Sequence, residues 1–145
     1  MAYWLFKSEP ETWSWQDQLA RGKKGQEWDG VRNFAARNFM RAMKKGEQGF
    51  FYHSGAEKQI VGMVEIIRPA HPDSTDATGQ WDCVEIAAIR ALPKPVGLAA
   101  IKGDRKLAEM VLVRNSRLSV QPVSEAEWKI ILAQGGISSG EAPLS

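Results

Sequence analysis

The sequence contains a single cysteine, Cys83, among its 145 residues. An intramolecular disulfide is therefore excluded, and a reducing compartment fits the composition best. No apolar run reaches the roughly 20 residues that a membrane helix needs. The first residues lack the basic, apolar and small-residue regions of a signal peptide. We therefore expect a cytoplasmic protein, or a nuclear one in a eukaryote, without a membrane partner.

Motifs for catalysis and for cofactors are also missing from the sequence. It contains no phosphate-binding loop, no dinucleotide-binding glycine pattern and no serine-nucleophile elbow. His53, His71 and Cys83 stand isolated along the chain, without the spacing of zinc ligands. We therefore predict no catalytic residue, no cofactor and no metal site.

The sequence has little excess of either sign of charge, because 19 basic and 17 acidic residues leave a formal net charge of +2. Such a balance does not by itself indicate a nucleic-acid partner. A hydrophobic fraction of 43% in a chain of this length is typical of one globular domain. Six tryptophans are unusual, and tryptophan either fills a core or lines a pocket.

The predicted strands are short and mostly joined by loops. They cover residues 2–7, 48–53, 59–67, 81–92, 111–113 and 118–123, with Pro93 and Pro95 ending the fourth strand. Helices are predicted at 15–21, 33–45 and 125–133, two of them behind capping boxes that begin at Ser14 and Ser124. This order predicts an α+β domain over residues 1–134 with a mainly antiparallel sheet or barrel flanked by helices. Residues 135–145 are predicted to form a flexible tail.

Several motifs, in order along the chain, closely resemble the EVE domain. They include Tyr3-Trp4-Leu5-Phe6-Lys7-Ser8-Glu9-Pro10, Trp28-Asp29-Gly30-Val31-Arg32-Asn33, Phe50-Phe51-Tyr52-His53-Ser54, and His71-Pro72-Asp73 with Thr75-Asp76. The resemblance runs over residues 2–128. It implies a PUA-like fold, a partly open β-barrel flanked by helices, and a relation to the YTH readers of methylated adenine. It also implies recognition of modified cytosines in DNA.

Trp28 is the sharpest candidate for base binding. It lies in a polar loop without apolar periodicity, and stacking of a base on an aromatic ring contributes about 1–3 kcal/mol. The alternative is a tryptophan that folds back and fills the core. The second aromatic wall is predicted to be Tyr52 or Trp81, and Trp81 equally fits a role in closing the barrel.

Polar side chains near Trp28 are candidates for reading the base edge. Asp29 is the best of them, because a carboxylate accepts from an exocyclic amine such as that of cytosine. Its alternative role is to cap the following helix. The resemblance to YTH domains breaks at Asp29, where those readers carry a small hydroxyl residue, which favours cytosine derivatives. The other candidates at the pocket are Lys7, Ser8, Asn33 and Ser54.

His53 alternates away from Tyr52 and Ser54 on the same predicted strand. It is interpreted as a satisfied buried histidine or as a polar gate. The basic face of the 33–45 helix, Arg37, Arg41 and Lys44, is predicted to contact phosphates together with Arg32. Its alternative is an ordinary solvated surface.

These features predict a reader module that binds a base of the 5-methylcytosine or 5-hydroxymethylcytosine class. The partner is nucleic acid, either single-stranded or with a flipped base, and we expect a monomer. Two other classes of function remain open from the sequence. One is an enzyme acting on modified nucleosides, and the other is a protein-interaction module with a vestigial pocket.

Overall fold

The computed structural model describes residues 2–137, in which six strands form one mixed sheet. The strands lie in the order β2-β5-β4-β3-β1-β6. β1 pairs with β3 in parallel, and the other neighbouring pairs are antiparallel. The strand bounds are β1 Tyr3–Ser8, β2 Gln26–Glu27, β3 Gln48–His53, β4 Gln59–Pro72, β5 Asp82–Gly97 and β6 Val120–Val123. The predicted α+β class is confirmed, and the sheet fits a partly open barrel.

Both faces of the sheet are buried, each under its own set of helices. Along β1 the period of two sends Trp4 and Phe6 to one core and Leu5 to the other. The helices are α1 Trp15–Arg21, α2 Phe34–Ala42, α3 Leu98–Lys102, α4 Val111–Arg114 and α5 Glu125–Gln134. The first two cover the Trp4 face and the last three cover the Leu5 face. No helix in this described part of the chain is long and apolar enough to cross a membrane.

The helix starts follow the local sequence signals. Ser14 forms a capping box with Asp17 at α1, and Ser124 forms one with Glu127 at α5, both as predicted. At α2 the cap is Asn33, whose Oδ1 accepts from the Ala36 amide at 2.9 Å. This helix ends at Ala42, three residues before the predicted end.

Two local predictions were wrong. β5 continues through Pro93 and Pro95 to Gly97. The register of the β4–β5 ladder shifts there, so no ladder hydrogen bond needs an N–H from either proline. Between the prolines, the Lys94 amide donates to the Gly135 carbonyl at 3.0 Å. Residues 111–113 form α4 and not a strand, because packing in the core overrides the β propensity of two valines.

The start of the predicted tail is packed onto the domain. Ile137 is 2% exposed in the core on the Leu5 face, and its amide donates to the Leu132 carbonyl at 2.9 Å. For residues 135–137 the structure therefore differs from the prediction of a flexible segment. The rest of the predicted tail, residues 138–145, lies outside the described residues.

Candidate functional site

A cavity of about 400 Å³ opens where the end of β1 meets the loop after β2. This volume lies within the range of roughly 300–1,000 Å³ that is usual for small-molecule sites. Five of the predicted site residues line it: Lys7, Ser8, Trp28, Asp29 and Arg32. The others are Glu9, Thr12, Trp13, Gln26, Glu27, Gly30, Val31 and Ser119.

Trp28 belongs both to the cavity wall and to the core. It is 8% exposed, and its ring meets those of Phe6 and Phe51 edge-on, with centroids 5.4 and 5.6 Å away. Its amide donates to the Val84 carbonyl at 2.8 Å, which ties the loop to β5. The polar neighbours of Trp28 in the sequence supply no apolar contact, but the loop folds back onto the sheet and brings Phe6 and Phe51 against the ring. Trp28 therefore fills the core, as its alternative interpretation has it, and the same residue lines the cavity.

The loop that carries Trp28 is held by Asp73, a buried carboxylate. Its Oδ2 accepts from the Gly30 amide at 2.8 Å and from the Arg32 guanidinium at 3.1 Å. Its Oδ1 accepts from the amide and the hydroxyl of Thr75. Burial raises the pKa of Asp73, but the hydrogen bonds from Thr75, Gly30 and Arg32 outweigh it and leave the pKa below its usual value. Asp73 thus joins the loop that carries Trp28 to the segment around Thr75.

Asp29 is exposed at the cavity mouth. Burial of the carboxyl and the charges of Asp73 and Glu27 raise its pKa, because each disfavours the ionised form. Asp29 does not cap α2, since Asn33 takes that role. Its carboxyl is therefore left for the cavity.

Lys7 and Ser8 reach the cavity from the end of β1. The Lys7 ammonium donates to the Ser116 carbonyl, and burial lowers the pKa of this lysine. The Ser8 hydroxyl donates to the Trp13 carbonyl at 2.6 Å, so its lone pairs remain as acceptors. Both residues line one end of the pocket, where Ser8 offers an acceptor, while the Lys7 ammonium lies over the Tyr52 ring, 5.8 Å from its centroid.

The predicted pocket residues that do not line the cavity are five: Asn33, Tyr52, His53, Ser54 and Trp81. Tyr52 is 2% exposed in the core on the opposite face of the sheet, where alternation along β3 directs it. Asn33 caps α2 and is turned to the helix. The Ser54 amide donates to the Ser8 carbonyl at 2.9 Å, which makes it a brace for the end of β1.

His53 is a buried histidine with both ring nitrogens paired. Its Nε2 accepts from the Trp15 amide at 2.9 Å, so Nδ1 carries the proton that faces Glu57 Oε1 at 2.9 Å. The imidazole thus anchors α1 to β3. The interpretation of His53 as a polar gate was wrong.

Trp81 lies outside the cavity in a surface cluster, which we call the aromatic platform: Phe34, Trp81, Arg32 and Arg37. The rings of Phe34 and Trp81 are 4.9 Å apart, and Phe34 is 60% exposed. Arg37 lies over both rings, 4.9 Å from Phe34 and 5.5 Å from Trp81. Arg32 lies 5.6 Å from Trp81 and also lines the cavity, which joins the platform to the pocket.

The predicted basic face is partly neutralised. Arg41 pairs with Asp82 at 2.6 Å, whereas Arg37 donates to the neutral Gln80 carbonyl at 3.1 Å and keeps its charge. Lys44 is exposed at the end of the face. The face therefore offers less free positive charge than its sequence indicates.

Sequence reasoning missed Trp13 and Glu27 at the cavity. Trp13 flanks the start of α1, and its indole donates to Gln18 Oε1 at 3.0 Å. A signal for Trp13 lay in the turn at Ser8-Glu9-Pro10, which brings the chain back to the end of β1. Glu27 carried no local signal, because the pairing of β2 with β5 alone places it there.

The expectation that histidine and cysteine are isolated was also wrong in space. Ligand atoms of Glu27, His71 and Cys83 lie within 4.8 Å of one another. Residues 12 positions apart meet there because β4 and β5 place His71 opposite Cys83.

The sheet, its two helical layers and the cavity at the end of β1 place the chain among PUA-like α+β domains. It belongs to the EVE domain family, whose model matches residues 2–134. The sequence is 35% identical to human thymocyte nuclear protein 1 over 164 aligned positions, which cover 91% of this chain and 73% of that protein.

Solved structures agree with this assignment. Protein Atu2648 from Agrobacterium tumefaciens is 50% identical, with a TM-score of 0.94 and complete coverage of both chains. Human THYN1, solved with DNA containing 5-methylcytosine, is 33% identical with a TM-score of 0.88, covering 95% of this chain and 99% of that one. The YTH domain of Zygosaccharomyces rouxii MRB1, at 17% identity and a TM-score of 0.57 over 99% of this chain and 89% of that one, shares the fold alone.

Proposed function

We propose that this chain is a reader that binds a cytosine derivative of the 5-methylcytosine or 5-hydroxymethylcytosine class in DNA, as a monomer and without catalysis. The observation that carries the proposal is the cavity in which Trp28 and Asp29 lie side by side. The human relative solved with 5-methylcytosine DNA supports the choice of ligand.

The chemistry of the cavity suits a cytosine. The Asp29 carboxylate accepts from the exocyclic amine, which thymine lacks. Trp28 and Trp13 supply the aromatic surfaces on which a base stacks, so Trp13 takes the place predicted for Tyr52 or Trp81. A methyl or hydroxymethyl group is sensed through the apolar surface and the free space of the pocket.

The base reaches the pocket only outside a stacked helix. Flipping costs a few kcal/mol in a duplex, which contacts to the flanking backbone offset. Arg32 lines the cavity, and the rest of the aromatic platform lies beside it, so that together they supply a cationic, stacking surface for that strand. The affinity is therefore expected to be higher for single-stranded or mismatched targets.

Binding of oligonucleotides that differ in one cytosine tests the proposal. Fluorescence anisotropy at fixed salt, with cytosine, 5-methylcytosine, 5-hydroxymethylcytosine and N6-methyladenine, is expected to rank the modified cytosines first. Asp29→Asn should lower the discrimination of cytosine from thymine by about 1–3 kcal/mol. Glu109→Gln removes the same charge at an exposed pair with Arg114, and serves as the control.

An acid titration adds a second test of Asp29. Because the ionised form accepts from the amine, affinity should be full above the raised pKa and fall as the pH drops through it. Asp29→Asn should remove this dependence. Equal preference among bases in the wild type, or turnover of a modified nucleoside by repurified protein, would contradict the proposal.

A further inference from the structure

Beside the base pocket, three side chains of metal-ligand type converge on the cross-strand ladder. His71 of β4 is opposite Cys83 of β5, and Glu27 of β2 is opposite Glu85 of β5. Cys83 and Glu85, two positions apart, share one face of their strand. The three elements therefore bring a carboxylate, an imidazole and a thiol to one point, and their ligand atoms lie within 4.8 Å of one another.

The distances at this point approach those of a coordination sphere. His71 Nε2 is 3.7 Å from Cys83 Sγ and 3.5 Å from Glu27 Oε2. With zinc–ligand bonds of about 2.0–2.3 Å, the ligand atoms of a tetrahedral site are roughly 3.3–3.8 Å apart. Both contacts of His71 fall in that range, and the ligand atoms of Glu27 and Cys83 lie within 4.8 Å of each other.

The orientation of His71 also suits a ligand. Its Nδ1 lies 2.9 Å from the Pro69 carbonyl, which accepts the proton that this nitrogen carries. In the neutral ring the lone pair of Nε2 then faces the cluster. A backbone carbonyl on the other ring nitrogen is the usual support of a metal-binding histidine. A doubly protonated ring would instead donate to Glu27 and to Glu85, 3.2 Å away.

The surroundings favour a cation. The negative charges of Glu27, Asp73, Asp29 and Glu85 act at the Cys83 sulfur. A bound dication is attracted by these charges and holds the thiolate. Arg68 binds Glu85 at 2.9 Å, and Ser74 donates to the other oxygen of Glu27 at 2.6 Å, so both carboxylates are held in place.

We propose that Glu27, His71 and Cys83 bind a divalent cation of the zinc class, with the fourth position open. The two anionic ligands balance its charge, and the imidazole completes the set. Since Glu27 also lines the base pocket, the ion would fix β2 beside the loop that carries Trp28. The proposal does not depend on the ligand of that pocket.

A cobalt titration of the purified, chelator-treated protein tests the site. Because Cys83 is the only cysteine in the sequence, a thiolate-to-cobalt charge-transfer band reports on this site alone. We expect the band to grow to one equivalent and to disappear when Zn²⁺ is added. Cys83→Ser should abolish the band, and His71→Ala should weaken cobalt binding at least tenfold. Glu57→Gln, next to the other histidine, is the control and should leave both unchanged.

Thermal unfolding provides a second readout of metal binding, which also shows whether a variant is folded. Zn²⁺ should raise the Tm of the wild type, more so at higher pH because binding releases protons. His71→Ala should unfold cooperatively with a Tm that does not respond to the metal. A wild type without a charge-transfer band, or a metal response that persists in both variants, would overturn the proposal. Loss of base binding with the metal response intact would refute only the proposed function.

Discussion

At the scale of the residue, Trp28 belongs both to the core and to the wall of the cavity. Its ring packs edge-on against Phe6 and Phe51 while it lines the cavity. Removal of this ring therefore leaves a void in the core as well as an open pocket wall. A substitution that only lowers base affinity is not expected at this position.

Trp28→Ala should lower the free energy of unfolding by about 3–5 kcal/mol. Trp28→Phe retains an aromatic ring in the core and should cost less stability, while it narrows the stacking surface and weakens binding. Urea denaturation and anisotropy on the same samples measure both effects. Full stability of Trp28→Ala would show that the ring is not part of the core.

Asp73 acts on the pocket through the loop that it holds and does not itself line the cavity. Asp73→Asn should lower the free energy of unfolding by about 1–3 kcal/mol at neutral pH, because the charged acceptor for Gly30 and Arg32 is lost. The depressed pKa makes this contribution complete above the unfolded value of about 3.9, and it is lost as the pH falls through the folded value.

The stability difference between the wild type and Asp73→Asn should therefore shrink in acid. Thermal melts from pH 7 downward measure it. Asp82→Asn, which breaks an exposed pair with Arg41, is the control. A difference that stays constant with pH would assign the effect to packing and not to charge.

At the scale of the element, α2 presents the aromatic platform and the basic face together. Arg37 is stacked on Phe34 and Trp81, whereas Arg41 is paired with Asp82. The two arginines of one predicted face are thus not equivalent. Arg37 is expected to carry more of the phosphate affinity.

Arg37→Gln should weaken the binding of all oligonucleotides alike. It should also reduce the slope of log K against log salt concentration by about one. Arg41→Gln should change the slope less, because its charge is already balanced. Arg114→Gln, far along the chain and paired with Glu109, is the matched control. A slope that is the same for all three variants would place the nucleic acid elsewhere.

At the scale of the whole molecule, the chain that follows α5 packs back onto the domain. Ile137 is buried with Trp128 and Ile131, and Gly135 accepts from Lys94 in β5. The segment after α5 therefore fastens the long strand β5 to the helical layer on the Leu5 face. Among the described residues, the packed core thus continues past Gln134 to Ile137.

Two truncations separate this boundary from the predicted one. A chain ending at Ile137 should retain the wild-type Tm, since the segment beyond has little apolar content. A chain ending at Gln134 should lose about 2–5 kcal/mol of stability. Ile137→Ala in the full-length chain should reproduce most of this loss. Equal Tm values for the two truncations would contradict the role of Ile137.

The sequence by itself determined the class of fold, the starts of its helices and the neighbourhood of the pocket. Caps at Ser14 and Ser124 and the alternation along β1 and β3 are local, because they depend on residues within a few positions. The motif around Trp28 and Asp29 likewise places two of the cavity residues. These features could be predicted because each depends on a short stretch of sequence and not on the strand order of the fold.

Only the tertiary structure decided which side chains face the cavity and which meet across strands. Tyr52 lies in the opposite core, Trp13 replaces it, and Glu27, His71 and Cys83 converge. Each of these outcomes depends on strand order and on register, which a shift of one residue would reverse. Long-range pairing is fixed by the sum of many contacts and leaves no mark at any single position.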